Sequence, residues 1–188
     1  MCALLAFSAV KNHDRVGLII FSDRVEKFIP PKKGRLHVLR VIKEILSFTP
    51  KHKKTDLNAA LKALNDVITK RSTAFLFSDY LADGYEKLLK IAHKKHDVVA
   101  IVVEDPTERE FPALSGTVEL EDAETGETFA LSVHKGFKER FKKQWAKRKE
   151  DRNKIFSSVG LDHIELETGT PYIDALVRFF KTRERRFR

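Results

Sequence analysis

The sequence predicts an α/β fold built on an open, mostly parallel β-sheet that is flanked by helices. Three continuous apolar runs of strand length, Arg15–Phe21, Thr73–Ser78 and Val98–Val103, predict strands buried on both faces. Segments with apolar residues at helical spacing separate the runs, and such alternation favours parallel strands joined by right-handed crossovers. A further strand, Val25–Ile29, carries polar residues between apolar ones and is predicted at an edge of the sheet.

Helices are predicted where apolar residues recur three or four positions apart. The apolar opening of the chain lacks the basic stretch and cleavage site of a signal peptide, so it is also predicted as a helix. The predicted helices are Met1–Asn12, Arg35–Phe48, Asp56–Lys70, Gly84–Lys95, Phe137–Phe156 and Thr170–Thr182. Thr55 is predicted as a helix cap. Pro30–Gly34 is predicted as a loop because of its prolines and glycine, and Leu161–Leu166 as the last strand.

The length of 188 residues fits one domain, which we expect to cover residues 1–188. Within it we expect a strand–helix core at residues 1–104 and an acidic loop with a hairpin insertion at 105–134. A basic segment with the last strand and helix is expected at 135–188. The hairpin is predicted because Gly116–Glu121 and Glu127–Val133 flank the turn residues Glu124–Gly126.

Charge is concentrated at the C-terminal end of the chain. Lys135–Arg188 holds 16 Lys and Arg against 8 Asp and Glu, whereas the rest is almost neutral. This pattern fits either a solvated helix face or a surface that binds nucleic acid or an acidic partner. No apolar run reaches the roughly 20 residues that span a bilayer. The lone cysteine, Cys2, favours a reducing compartment, and we expect a cytoplasmic protein.

Polar residues follow the predicted strands or precede a predicted helix at three places. These pairs are Ser22-Asp23, Thr55-Asp56 and Ser78-Asp79. In open parallel sheets ligands bind outside the carboxyl ends of the strands, and hydroxyl and carboxylate oxygens suit a hard cation such as Mg²⁺. The alternative is purely structural, with Thr55 as a helix cap and Ser78-Asp79 as a turn.

Two common catalytic motifs are absent from the sequence. It lacks the Gly-x-x-x-x-Gly-Lys-Ser/Thr phosphate loop and the Gly-x-Ser-x-Gly nucleophile elbow. His93 and His96 stand three apart near a helix end, but no cysteine or third histidine is near them in sequence. We therefore expect a chain that is not an enzyme.

A series of short motifs stands in a fixed order along the chain. They are Asp14–Leu18, Phe21–Asp23, Lys54–Leu57, Ser78–Tyr80, His96–Ala100, Asp105–Glu108, Glu119–Gly126 and Phe179–Arg183. Together they resemble the bacterial family catalogued as domain of unknown function 58, over essentially the whole chain. Members of that family resemble von Willebrand factor A domains and are often encoded beside MoxR-type AAA+ ATPases.

The resemblance implies a metal-ion-dependent adhesion site, in which Thr55 and Asp79 match two of the ligands. The Asp-x-Ser-x-Ser loop of the family's first strand is absent, because Met1–Leu5 matches the helix that follows that strand. The chain is therefore expected to lack the first strand, which lies at the centre of a von Willebrand factor A sheet. We expect Mg²⁺ to bind a longer form of the protein that contains the Asp-x-Ser-x-Ser loop. We expect no Mg²⁺ in this chain, since Thr55 and Asp79 alone cannot supply the six oxygen ligands that the ion prefers.

The function that the resemblance implies is a protein-interaction module with an incomplete adhesion site. Its partner would be a MoxR-type AAA+ ATPase or a client protein, contacted through Ser22, Asp23, Asp56 and Ser78. The alternative is binding of nucleic acid or an acidic surface through Lys135–Lys154 and Arg183–Arg188. A Mg²⁺-dependent hydrolase is the third and least favoured hypothesis.

Overall fold

The computed structural model describes residues 1–109, 116–121 and 128–186. In chain order its elements are α1 Cys2–Lys11, β1 Val16–Phe21, β2 Val25–Lys32, α2 Arg35–Ser47, α3 Leu57–Val67, β3 Thr73–Ser78, α4 Glu86–Lys95, β4 Asp97–Glu104, α5 Pro106–Arg109, β5 Gly116–Glu121, β6 Thr128–Val133, α6 Lys135–Val159, β7 Asp162–Glu167 and α7 Ile173–Arg186. The fold is mixed α/β, as predicted. The predicted turn Glu124–Gly126 and the end of the basic tail, 187–188, lie outside the described residues.

Contacts divide the chain into two compact units, residues 1–69 and 70–188. The expected division into one domain with segments 1–104, 105–134 and 135–188 stays a prediction. None of the helices among the described residues is long and apolar enough to cross a membrane.

The second unit contains a parallel three-stranded sheet in the order β3-β4-β7. Its register pairs Thr73 with Asp97 and Ile101 with Ile164. Helix α4 packs on β4 and helix α7 packs on β7, so the sheet is flanked by helices. The parallel pairing of the second and third predicted strands is confirmed.

Only the central strand of this sheet is buried along most of its length. Residues Val98–Val102 of β4 are 0% exposed, because β3 and β7 cover both edges of the strand. The prediction of burial on both faces is wrong for β1 and β3, which are largely half-buried. Each of these two strands has one paired edge among the described residues, and an apolar run alone does not report how many neighbours a strand has.

The first unit contains an antiparallel pair, in which β1 pairs with β2. The predicted loop Pro30–Gly34 is wrong in part, because β2 continues through both prolines to Lys32. Proline lacks an N–H donor, but an edge strand needs no donor on its free side. Gly17 allows this close pairing, since a Cβ there would lie 3.0 Å from the Ile29 carbonyl oxygen and from Pro31 Cγ.

The predicted hairpin is present as β5 and β6, which pair antiparallel from Gly116↔Val133 to Glu121↔Thr128. After it, α6 runs for 25 residues and ends at Gly160, whose φ of 72° is the left-handed conformation that glycine adopts at helix ends. The short helix α5 was not predicted, because four residues are too few to show a helical period.

Candidate functional site

The carboxyl ends of three parallel strands meet at one edge of the second unit. There β3 ends at Ser78, β4 at Glu104 and β7 at Glu167. The Thr168 N–H donates to the Glu104 carbonyl oxygen at 3.0 Å, which continues the pairing of β4 and β7 past the strand ends. This edge, which we call the carboxyl edge, is where an open parallel sheet binds ligands.

The turn after β3 uses the polar atoms of Ser78 and Asp79 for its own backbone. Ser78 Oγ accepts the Tyr80 N–H at 3.0 Å, and Asp79 Oδ1 accepts the Leu81 N–H at 3.1 Å. Tyr80 adopts a φ of 59°, which is uncommon for a residue other than glycine. Its buried ring contacts the Phe156 ring edge to face at 5.1 Å, and this packing holds the turn in place.

A buried ion-pair network lies behind this turn. Arg152 from α6 donates to Glu104 Oε1 at 2.6 Å and to Glu165 Oε1 at 2.8 Å. Lys149, one helical turn earlier, donates to Glu165 Oε2 at 2.6 Å. The Arg152 side chain is 6% exposed and that of Glu104 is 11% exposed. Two strand ends are thereby tied to one face of α6.

The network affects protonation at the carboxyl edge. Burial alone would raise the pKa of Glu165, but hydrogen bonding to Lys149 and the charges of Lys149 and Arg152 lower it below the ordinary value. Burial raises the pKa of Tyr85 to about 12. Glu165 is therefore ionised and Tyr85 neutral at neutral pH, and neither is poised to exchange a proton there.

A second set of hydrogen bonds orders the loop after β4. Asp105 Oδ1 accepts the Thr107 N–H at 2.9 Å, and Asp105 Oδ2 accepts the Thr168 hydroxyl at 2.7 Å. The Thr107 hydroxyl also donates to Asp105 Oδ1, at 2.6 Å. This bond contributes most, together with the other two, to lowering the pKa of Asp105 to about 2. Arg109 at the end of α5 pairs with Glu167. The loop is thus fixed to the end of β7.

In the first unit the residues after β1 lie beside the start of α3. The Asp56 N–H donates to the Ser22 carbonyl oxygen at 2.9 Å, so the structure brings these two predicted partner-binding residues together. Asp23 is paired with its neighbour Arg24 at 2.8 Å, and this hydrogen bond lowers the pKa of Asp23. Asp56 Oδ1 accepts the Asn58 N–H at 2.8 Å.

The predicted cap of α3 is wrong by one residue. Asp56, not Thr55, is the N-cap, because α3 begins at Leu57. Thr55 is exposed and stands just before the cap. It follows a loop fixed by Glu26, whose carboxylate accepts the N–H groups of Lys51 and His52 at 2.9 and 3.1 Å.

The surroundings of Asp79 are unfavourable for a resident Mg²⁺ ion. Its carboxylate accepts a backbone N–H of the turn, and the cavity of about 20 Å³ beside it is lined by three cations, Arg148, Lys149 and Arg152, as well as by Glu104 and Glu108. Glu104 is already paired with Arg152, so positive and negative side chains balance in this lining and no excess of negative charge attracts a divalent cation. Within the described ranges, no group of three or more His, Cys, Asp or Glu side chains is placed to hold a metal. The pairing of Thr55 and Asp79 at one metal stays a prediction.

Sequence reasoning missed the residues that organise the carboxyl edge. Glu104 stood at the end of an apolar run, and Arg152 and Lys149 were counted only as part of a basic helix. Glu104 and Arg152 are 48 positions apart. One available signal was the spacing of Trp145, Lys149 and Arg152, which places them on one face of α6.

Comparison with known proteins identifies the family. A family model described as a protein of unknown function, DUF58, matches residues 1–151. The chain belongs to the DUF58 family. No solved structure matches this DUF58 chain significantly.

This DUF58 chain is similar to uncharacterized proteins of mycobacteria. Uncharacterized proteins of Mycobacterium tuberculosis and Mycobacterium bovis are 27% identical over 186 residues, which are 97% of this chain and 58% of theirs. An uncharacterized protein of Mycobacterium avium is 31% identical over 161 residues, which are 84% of this chain and 94% of that protein. The chain thus spans 58% of the length of the first two relatives.

Proposed function

We propose that this chain is a non-catalytic protein-interaction module of the von Willebrand factor A type, which binds a protein partner at its carboxyl edge. The observation that carries the proposal is the ion-pair network of Glu104, Arg152, Glu165 and Lys149. Each of these side chains has an ionic partner, so the network ties the ends of β4 and β7 to α6 and fixes the shape of the edge in front of it. A surface ordered before binding loses less entropy when a partner docks.

The strand pairing within each unit supports a von Willebrand factor A type of fold. In the first unit β1 pairs antiparallel with the strand that follows it, and in the second unit β3, β4 and β7 run parallel in chain order. These are the pairings that the family resemblance implies for a chain without the first strand.

The polar side chains at the strand ends support binding over catalysis. Ser78 and Asp79 serve the turn after β3, and Asp105 serves the loop after β4. A nucleophile needs a base within hydrogen-bond reach. The Ser78 hydroxyl donates to the Asp79 carboxylate at 3.3 Å and accepts the Tyr80 N–H, and that carboxylate also accepts a backbone N–H, so both groups are engaged in the turn.

The partner to test first is a MoxR-type AAA+ ATPase, which the family resemblance suggests. The experiment measures binding of the chain to the purified MoxR-type ATPase of the same genome by biolayer interferometry. Ser78→Ala should weaken binding, because Ser78 is one of the predicted partner contacts and ends β3 at the carboxyl edge. Ser72→Ala is the matched control, since Ser72 stands directly before the amino end of the same strand.

We expect saturable binding that EDTA leaves unchanged and that Ser78→Ala weakens severalfold, while Ser72→Ala matches the parent chain. Absence of binding would exclude this ATPase as the partner. Loss of binding in EDTA would mean that a metal is required. Hydrolysis of an ester or phosphate substrate that disappears on Asp79→Ala would show that the chain is an enzyme and would contradict the proposed interaction module.

A further inference from the structure

A groove of about 180 Å³ lies next to the carboxyl edge in the second unit. Its lining residues are Leu81, Glu108, Phe141, Gln144, Trp145 and Arg148, and we call it the α5–α6 groove. Four of these residues stand three or four positions apart on α6, so one helix face forms a wall. Leu81, Glu108, Trp145 and Arg148 also line the cavity of about 20 Å³ at Asp79. The groove therefore continues toward the strand ends.

The size and lining of the groove suit one large apolar side chain. Pockets for cofactors and drug-sized ligands have volumes of about 300–1,000 Å³, well above this groove. Leu81 is 46% exposed, so its side chain is accessible to an occupant of the groove. The Lys149 ammonium lies 5.5 Å from the Trp145 ring centroid and helps to fix the indole. Tryptophan and arginine are also the residues that most often dominate binding energy at protein interfaces.

The charge around the groove favours an acidic occupant. Helix α6 carries ten Lys and Arg and three Asp and Glu, a surplus of seven positive charges. Lys149 and Arg152 are neutralised by Glu165 and Glu104. Arg148 is exposed at the groove, and within the described ranges no carboxylate pairs with it. Glu108 lies on the other wall, so carboxylates of an occupant would face α6.

We propose that the α5–α6 groove binds an acidic peptide segment of a partner protein, which inserts one large aliphatic or aromatic side chain. Trp145 and Leu81 contact that side chain, and Arg148 pairs with a carboxylate beside it. This inference rests on the proposed function, because it specifies which kind of partner segment binds beside the carboxyl edge. A peptide is favoured over nucleic acid because it can offer both an aliphatic side chain to Leu81 and Trp145 and a carboxylate to Arg148.

The single tryptophan of the chain makes binding directly measurable. Trp145 is the only tryptophan in the sequence and lines the groove, so an occupant must change its fluorescence. The probe is a short synthetic peptide in which glutamates flank one leucine. Two control peptides replace the leucine by serine or the glutamates by lysines. A single-stranded DNA oligomer is the nucleic-acid arm.

We expect the glutamate–leucine peptide to change Trp145 emission saturably, with a dissociation constant in the micromolar range and at least about tenfold tighter binding than either control peptide. Arg148→Glu should weaken binding at least about tenfold, because it replaces the attractive charge by a repulsive one. Lys147→Glu is the matched control, with the same change of charge one residue away and outside the groove lining. It should weaken binding less than about threefold. Leu81→Ser, at an exposed side chain, should weaken binding of the leucine peptide only.

Equal binding of the leucine and serine peptides, or equal loss in Arg148→Glu and Lys147→Glu, would overturn the proposal. Tighter binding of the DNA oligomer than of the peptide, with the same dependence on Arg148, would overturn it in favour of nucleic acid. If the peptide fails while the ATPase binds in a way that depends on Ser78, only the groove assignment is wrong. If the peptide binds and the ATPase does not, the groove assignment stands and that partner is excluded.

Discussion

Replacing Arg152 by alanine should destabilise the second unit by about 3–5 kcal/mol. The substitution removes the hydrogen-bond donor of Glu104, whose carboxylate is 11% exposed and accepts from Arg152 at 2.6 Å, and leaves it only the more distant Lys149 ammonium at 4.0 Å among the described residues. Breaking a buried pair in this way costs that much, whereas Glu165 keeps Lys149 as a partner at 2.6 Å. Because whole domains are stable by only about 5–15 kcal/mol, the loss is a large share of the total.

Urea unfolding followed by Trp145 fluorescence measures this change, since Trp145 lies on the same helix as Arg152. Lys154→Ala is the control. It removes a cation of α6 that pairs with Glu150 and Asp151, whose side chains are 65% and 54% exposed. Exposed pairs of this kind contribute about 0.2–1 kcal/mol.

A double variant separates the buried pair from general damage to the helix. Glu104→Leu with Arg152→Met removes both charges and fills similar volume, so it should be less destabilising than the sum of the single changes. An Arg152→Ala variant within about 1 kcal/mol of the parent chain, or strictly additive single changes, would refute the reasoning.

Three further changes test the local structure. Burial lowers the pKa of His96, so only the unfolded chain takes up a proton at this residue as the pH falls below about 6.5. The contribution of His96 to stability should therefore be constant above about pH 6.5 and decrease below it. The urea midpoint of His96→Gln should fall less steeply than that of the parent chain between about pH 6.5 and 5, and equal slopes would contradict this. Asp56→Ala removes the helix cap that accepts the Asn58 N–H and should lower the free energy of unfolding in urea by about 1 kcal/mol. An unchanged urea midpoint would contradict this. Gly17→Ala places a Cβ 3.0 Å from Pro31 Cγ and should cost about 1–3 kcal/mol, whereas a neutral effect in thermal unfolding would mean that β2 can shift.

The sequence predicts most elements of this fold because their signals are local. The apolar run Val98–Val103 and the helical spacing in Phe137–Phe156 each lie within one element, and β4 and α6 contain them. The end of β2 was missed because proline marks a loop in most contexts but is tolerated at an edge strand. Burial of β1 was overestimated because it depends on neighbouring strands rather than on composition.

The candidate site was predictable only in part. Ser78-Asp79 follows an apolar run, so its place at a strand end could be derived from the sequence. The pairing of Arg152 with Glu104 could not, because it requires knowing which face of α6 lies over β4 and β7. Local patterns report periodicity along one element, whereas ion pairs between elements depend on how those elements pack.

Hydrogen–deuterium exchange of the chain, with and without saturating MoxR-type ATPase, tests the central claim most directly. The account predicts slower exchange in the segments at the carboxyl edge, 79–82, 105–109 and 141–149. Segments at the amino ends of the same strands, 71–73, 96–98 and 160–162, should exchange at unchanged rates. Protection confined to the amino ends, or spread along the exposed basic face of α6 only when nucleic acid is added, would contradict the account.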